Sequence, residues 1–324
     1  RTTRMTSPPT RKHRQRPPKA KTMSGSPATA RRPEYTLAWG DHRLTLGRRT
    51  RVMGIVNVTP DSFSDGGRFF DRDAAVAQGE RLAAEGADIL DVGGESTRPF
   101  ADAVADDEEI RRVIPVIERL AGRVTVPISI DTTKASVARA ALDAGASIIN
   151  DVGALRLDPD LGGVAAAAGV PVILMHMLGT PRTMQVDPHY DDLTGELTAF
   201  LTDAIDRAAA AGIDRSLILI DPGIGFGKTV AHNLQIIARL DAFRTLDRPI
   251  LVGASRKAFI RKLLGPDGDT PLSPDRPEVA VGSQAVAAAA ILSGAHIIRV
   301  HDVAEAVVTA RIIDAIAEAD ESAP

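Results

Sequence analysis

Short apolar runs alternate with helix-like stretches from residue 52 to residue 318, and most of the runs end in a polar side chain. The runs fall at 52–56, 89–92, 126–130, 148–149, 172–175, 217–220, 250–252 and 297–300. They are rich in Val, Ile and Leu without alternation, as in strands buried on both faces of a parallel sheet. Between them the spacing predicts helices over 73–85, 106–120, 133–144, 159–168, 193–211, 229–240, 256–264 and 279–292, with a closing helix over 303–318. The segments AAEGADILDV, LDAGASIIND, AAAGVPVILM and LSGAHIIRVH share one design: helix end, Gly, strand, polar tip. The Gly suits the left-handed residue that ends a helix. Eight such units, each about 30 residues long, predict a closed (β/α)8 barrel, the TIM-barrel class of α/β fold. A doubly wound open sheet is the alternative, but it places phosphate-binding glycines after its first strand. Here the first run leads into Asn57, Val58, Thr59 and Pro60. Ahead of the repeat, residues 35–46 read as a hairpin turning at Gly40 and Asp41, expected to plug the bottom of the barrel.

A closed parallel barrel gathers the C-terminal ends of its strands on one face. The polar ends are Asn57, Asp91, Asp131, Asn150 with Asp151, His176, Asp221, Ser255 to Lys257, and Arg299 to Asp302. The pattern therefore predicts one pocket built from residues scattered over most of the chain.

Composition narrows the chemistry. Aromatic residues make up 3% of the 324, so the core must be aliphatic. The chain has no cysteine, which excludes disulfides, thiolate metal sites and cysteine nucleophiles. No apolar run approaches the roughly 18 residues of a membrane span. Of 39 Lys and Arg, ten lie in residues 1–33, which hold no Asp or Glu; the remainder carries 29 against 42 acidic residues, a formal −13. The head is Pro-, Ser- and Thr-rich and without periodicity, so residues 1–33 are expected to be a disordered basic extension and 34–324 one domain. A transit peptide, a nucleic-acid contact and plain upstream sequence all fit an acid-free head. The acidic body argues against nucleic acid as a partner.

Several ends carry candidate chemistry. Residues 221–229, DPGIGFGKT, fit neither a Walker A loop nor the dinucleotide fingerprint. They read as a loop whose glycines let backbone approach a flat ligand, with Asp221 facing the pocket; a helix-entry turn capped by Asp221 is the plainer reading. Asp131 and Asn150 can read the edge of a heterocycle, the carboxylate accepting and the amide doing both; each alone could instead be a helix cap. Ser255, Arg256, Lys257, Arg299 and His301 follow strands seven and eight, where this fold often binds phosphate, and their cations suit a diphosphate. Solvated surface charge is the alternative. The long polar loops after the first two strands read as substrate clamps. His176, between Met175 and Met177, reads more readily as packing. No spacing forms a zinc or two-metal cage; a single Mg²⁺ held mainly by diphosphate oxygens and one protein oxygen fits better.

These residues together resemble a known family. VMGIVNVTPDSFSDGG, ILDVGGESTRP, ISIDTT, IINDV, VILMHMLGTPRTMQ, LILIDPGIGFGKT, LVGASRK and IIRVHDV run in the order found in dihydropteroate synthases. The resemblance covers residues 51–317. It implies a cytoplasmic, homodimeric barrel transferase of folate synthesis, a sulfonamide target, that joins p-aminobenzoate to 6-hydroxymethyl-7,8-dihydropterin diphosphate. By motif, Asn57 is similar to the Mg²⁺ and diphosphate contact. Asp131, Asn150, Asp221 and Lys257 are similar to the pterin-binding set, with Met175, Phe226 and Gly253 lining the slot. Arg299 and His301 are similar to the diphosphate anchors. Phe63, Thr97, Arg98, Pro99 and Ser255 are similar to the frame around p-aminobenzoate. Asp131, Lys257, Arg299 and His301 are the expected catalytic group. One departure is Phe100, where the family commonly has Gly; its bulk is expected to stiffen the second loop or narrow the p-aminobenzoate entrance. A corrinoid methyltransferase shares the Asp and Asn pterin readers but has no use for the diphosphate cations. A silent pterin-binding paralogue should have lost Thr97 or Lys257, and both are present.

Overall fold

The computed structural model describes residues 32–58, 68–96 and 103–321. Two short antiparallel strands, β1 (Tyr35–Trp39) and β2 (His42–Leu46), come first. Eight parallel strands follow: β3 (Arg51–Asn57), β4 (Ile89–Gly93), β5 (Ile128–Asp131), β6 (Ile148–Asp151), β7 (Val172–Met175), β8 (Ile218–Asp221), β9 (Leu251–Val252) and β10 (Ile297–Val300). Their spatial order is β8-β7-β6-β5-β4-β3-β10-β9, and a parallel bridge between Ile220 and Ile250 joins the two outer strands. The sheet therefore meets itself, as the eightfold pattern predicts.

Helices connect the strands: α1 (Arg68–Ala84), α2 (Asp106–Ala121), α3 (Ala135–Asp143), α4 (Leu161–Ala168), α5 (Leu193–Ala210), α6 (Val230–Ala238), α7 (Ala258–Leu263) and α8 (Pro277–Leu292), with α9 (Val303–Glu321) at the end. Each predicted helix is present within a few residues. The 3-10 turns at Arg215–Leu217 and Leu240–Leu246 had no sequence signal of their own. Local chemistry sets the helix ends. Thr229 accepts from the backbone N–H of His232 and starts α6, and left-handed Gly169 closes α4.

The core is aliphatic, as the composition requires. Val56, Leu90, Ile130, Ile149, Val172, Ile220, Leu251 and Ile297 are all fully buried strand residues. The hairpin packs at the opposite end from the strand tips. Leu37 and Leu46 join the core, and Tyr35 touches Asp247 and His296, which lie just before β9 and β10. Six strands end on the polar residues of the sequence pattern or one position before them; β9 stops three short of Ser255, and β4 runs two further, so Asp91 lies inside it. Of residues 1–33, the expected disordered extension, 1–31 lie outside the described residues and only Arg32 and Pro33 are described.

Candidate active site

The strand tips converge on Arg299. Its Nε donates to Asp91 Oδ2 (2.6 Å) and its Nη2 to Asp131 Oδ2 (2.7 Å), so one guanidinium from β10 spans β4 and β5. Asn150 Nδ2 on β6 donates to the same Asp91 oxygen at 3.0 Å. Burial works against the Arg299 cation, but Asp91 and Asp131 outweigh it and hold it charged. Burial pushes Asp131 upward while Arg299 pulls it back; with the guanidinium in contact, the ionised form is the one the geometry favours. Asp91 Oδ1 is buried with no hydrogen-bond partner.

The second wall is the loop after β8. Gly223, Gly225 and Gly227 all have positive φ (71°, 82° and 68°), and a Cβ on Gly223 would lie 1.9 Å from the His176 carbonyl oxygen. The loop thus lies against β7 as only glycine allows. Asn233 Oδ1 accepts from Gly225 N, while Gln185 and Tyr190 donate to the Gly225 and Gly227 carbonyls. Asp221 Oδ1 accepts from Gly223 N (2.7 Å), and burial raises its pKa to about 6, against Lys257, Lys228 and Arg299. The plainer reading of Asp221 as a turn-capping residue is therefore true of one oxygen.

Lys257 crosses in front of this loop. Its Nζ stands 3.9 Å from the centre of the Phe226 ring, a cation–π contact. Its stem passes Gly225, where a Cβ would lie 3.1 Å away. Phe226 packs with Met175, Met177, Met184 and Val152 in an apolar cluster separate from the main core. Gly253 lies against the Arg299 side chain. Between the ends of β9 and β10, Ser255 Oγ pairs with His301 Nδ1 (3.0 Å). Burial, then Arg299 and Arg256, push His301 down to about 3, so it is a neutral imidazole. Asn57 ends β3 half-buried, paired in register with Gly93.

The structure thus brings Asp131, Asn150, Asp221, Lys257, Arg299, His301, Ser255, Met175, Phe226, Gly253 and Asn57 to the C-terminal ends of the strands. Phe63, Thr97, Arg98, Pro99 and Phe100 lie outside the described residues. Three neighbours take the plainer role. Asp151 accepts from Gly153 N and Leu155 N and caps its own turn. Arg256 is held by Asp302 through Nε and Nη2, so it is not one of the converging cations. His176 accepts from Lys228 Nζ at 2.9 Å inside the wall. The sequence pattern places Asp91 among the pocket's strand ends without a specific contact, and it gives Lys228 no role. Asp91 carried a signal, a lone carboxylate inside the otherwise apolar ILDVG. Lys228 carried none, because its burial depends on how the glycine loop folds over it.

Residues 53–301 match the family of pterin binding enzymes. A dihydropteroate synthase of Escherichia coli is 47% identical over 271 residues, 84% of this chain and 93% of that protein. The dihydropteroate synthase of Synechocystis is 44% identical over 270 residues, 83% of this chain and 91% of its own length. The chain belongs to the dihydropteroate synthase family. Among solved structures, Xanthomonas albilineans dihydropteroate synthase with 4-aminobenzoic acid is 48% identical and superposes with a TM-score of 0.81, covering 90% of this chain and all of that one. The same enzyme with 7,8-dihydropteroate matches with a TM-score of 0.77 at 46% identity.

Proposed function

We propose that this chain is a dihydropteroate synthase. It condenses p-aminobenzoate with 6-hydroxymethyl-7,8-dihydropterin diphosphate, giving 7,8-dihydropteroate and diphosphate. The observation that carries the reading is the Asp91–Arg299–Asp131 bridge beside Asp221 and Lys257. It offers carboxylates and an amide for a flat polar ring, and cations for a leaving diphosphate, at one mouth.

The reaction breaks the C–O bond between the pterin methylene carbon and the diphosphate, and the oxygen keeps the electron pair. The p-aminobenzoate nitrogen forms the new C–N bond and then loses a proton. No protein nucleophile is needed. Asp221 and Asp131 accept from the ring edge, and Asn150 donates and accepts beside them. Their negative charge stabilises a cationic methylene as the C–O bond lengthens. Lys257 and Arg299 stabilise the departing charge, and neutral His301, steadied by Ser255, donates a hydrogen bond to it. Phe226 and Met175 supply the apolar face. Phe63, Thr97, Arg98 and Pro99 frame p-aminobenzoate.

Asn57 would hold Mg²⁺ together with diphosphate oxygens. Among the described residues no group of three or more His, Cys, Asp or Glu could hold a metal. One amide oxygen suits a hard ion that arrives with its phosphate ligands. When bound, the ion supplies charge neutralisation on the diphosphate.

The chain acts as a homodimer through its last two helices. Val281 on α8 and Val308, Ile312 and Ile316 on α9 are all more than half exposed, and the α9 residues repeat every fourth position along one face. Val308→Glu should shift the species seen by sedimentation equilibrium to monomer; an unchanged dimer would remove this face. No helix of the described residues is long and apolar enough to cross a membrane. The family resemblance is what supports a cytoplasmic location.

The test is diphosphate release by the purified chain. Release should require both substrates and Mg²⁺, stop with a chelator, and match dihydropteroate formed one for one. Release without p-aminobenzoate at the same rate, or none with both substrates, would defeat the assignment.

A further inference from the structure

Lys228 closes the glycine loop, one residue before the Thr229 cap of α6. Its side chain turns inward, leaving the residue 3% exposed, and its neighbour His176 is 4% exposed. Lys228 Nζ donates to His176 Nδ1 (2.9 Å) and to the Phe226 carbonyl oxygen (3.0 Å). An ammonium only donates, so Nδ1 is the lone-pair nitrogen of a neutral imidazole. Burial, then Lys228 and Arg156, hold the ring in that form. Both acceptors are uncharged, so no contact ion pair offsets the desolvation of this ammonium among the described residues. An apolar side chain of similar volume would fill the same space without that cost.

What the two bonds join explains the cost. His176 directly follows β7, and its N donates to the Asp221 carbonyl oxygen at 2.9 Å. Its ring stands edge-on to Phe200, with 4.6 Å between centres. Phe226 N donates to the Gly223 carbonyl oxygen at 3.1 Å, so the N–H and the C=O of Phe226 are both committed, the second to Lys228. The Phe226 ring packs with Met175 and Met177 and carries Lys257 Nζ over its face at 3.9 Å. One ammonium therefore ties the end of β7 to the loop residue whose ring lines the slot. The charge has a second effect. Asp221 draws the Lys228 proton back on against burial, and Lys228, with Lys257 and Arg299, holds Asp221 down against burial. Lys257 and Arg299 act on Asp221 from the mouth. Lys228 acts from inside the wall, where the His176, Tyr190 and His232 rings follow one another.

We propose that Lys228 is a positioning residue for the pterin ring. By bonding His176 and the Phe226 carbonyl, it fixes the glycine loop to the end of β7 and so sets where Phe226 and Asp221 stand. It touches neither substrate. The proposal rests on the reading above that Asp221 and Phe226 contact the pterin.

The experiment is titration of pterin diphosphate into the full chain across pH, with steady-state kinetics beside it, for Lys228→Met, His176→Leu, His176→Gln and Asp221→Asn. Lys228→Met should weaken pterin diphosphate binding about 10- to 100-fold, the scale of one charged hydrogen bond. KM for p-aminobenzoate at saturating pterin should stay within about twofold. The acid limb of binding, set by Asp221 at about 6 in the wild type, should move to higher pH once the cation is gone. His176→Leu removes one of the two acceptors and should weaken binding by less; it decides the matter if Lys228→Met does not fold. His176→Gln keeps an acceptor and should restore most of that loss. Wild-type pterin affinity in the deciding variant, or an equal rise in KM for p-aminobenzoate, overturns the proposal. Asp221→Asn tests the reading beneath it. If Asp221→Asn weakens pterin binding and the deciding variant does not, the proposal alone fails. If Asp221→Asn leaves binding unchanged, the assignment of the slot fails and takes the proposal with it.

Discussion

Asp91 shows how a single residue organises a site without touching the chemistry. One of its oxygens accepts from both Arg299 and Asn150, and the other has no partner. Removing Asp91 leaves Arg299 paired with Asp131 but strips it of one buried charged hydrogen bond and Asn150 of its acceptor, at a cost of about 1–3 kcal/mol. Asp91→Ala should therefore lower unfolding stability by about that amount in a denaturant titration. It should also cut turnover, because Arg299 loses one of its two anchors. Arg299→Ala and Asp131→Ala should each cut turnover about 100-fold or more, the scale of one electrostatic contact; a near-normal rate in either would remove that residue from the mechanism. Asp221 gives a pH signature. Burial raises its pKa to about 6, so it is ionised above that value and protonates below it. Only the ionised form can accept with both oxygens, as the proposed pterin contact requires. Efficiency with the pterin substrate should thus fall as pH drops through about 6, and Asp221→Asn should abolish that limb in a pH–rate profile. The sign for stability is the reverse. A carboxyl whose folded pKa lies above its unfolded value favours the folded state at low pH, and that contribution is lost as pH rises through about 6.

At the scale of elements, the barrel was legible because its signal is redundant. Eight apolar runs, most of them ending in a polar residue, specify eight strands even where β9 spans only Leu251–Val252. Which polar tips face the mouth was less legible. Asp151 and Asn150 are neighbours, yet adjacent strand residues point to opposite sides; Asn150 joins Asp91 while Asp151 caps its own turn. Arg256 lies between Ser255 and Lys257, but its left-handed backbone (φ 57°) accompanies a side chain bound to Asp302. Sequence order carries no record of that turn. The glycine loop is the opposite case, since its three glycines announced a close approach. Gly223→Ala should cost well over about 1 kcal/mol, because it combines positive φ with a blocked Cβ position. It should also weaken pterin binding, since Asp221 accepts from Gly223 N. Thermal unfolding and pterin titration check both effects; an alanine variant with wild-type values would mean that the loop does not shape the pocket.

On the scale of the molecule, the two ends of the described chain are stitched together beneath the barrel. Arg32 donates to Asp314 Oδ1 (2.5 Å), to Thr50 Oγ1 (2.6 Å) and to the Ala295 carbonyl oxygen (2.8 Å). Asp314 also accepts from Thr50 N and Thr50 Oγ1. The basic head therefore ends in a structural arginine. Arg32→Ala should destabilise the chain by about 1–3 kcal/mol, because Asp314 keeps its Thr50 bonds but loses its counter-charge, and should leave KM for both substrates unchanged. Calorimetry with parallel kinetics tests this, and a changed KM with normal stability would contradict it. The same long-range logic governs the mouth, where Arg299 meets an aspartate 208 residues earlier in the chain and another 168 residues earlier. Only closure of the sheet makes those residues neighbours.

Asp131, Asp221, Lys257 and Arg299 are proposed to form one pocket for a pterin carrying two phosphates. Calorimetric titration of 6-hydroxymethyl-7,8-dihydropterin diphosphate into the wild-type chain and into Asp221→Asn tests it most directly. One site per chain is expected in the wild type, with affinity weakened about tenfold or more in the variant, on the scale of a lost charge-assisted hydrogen bond. Equal affinity in the two proteins, or no binding to the wild type, would contradict it.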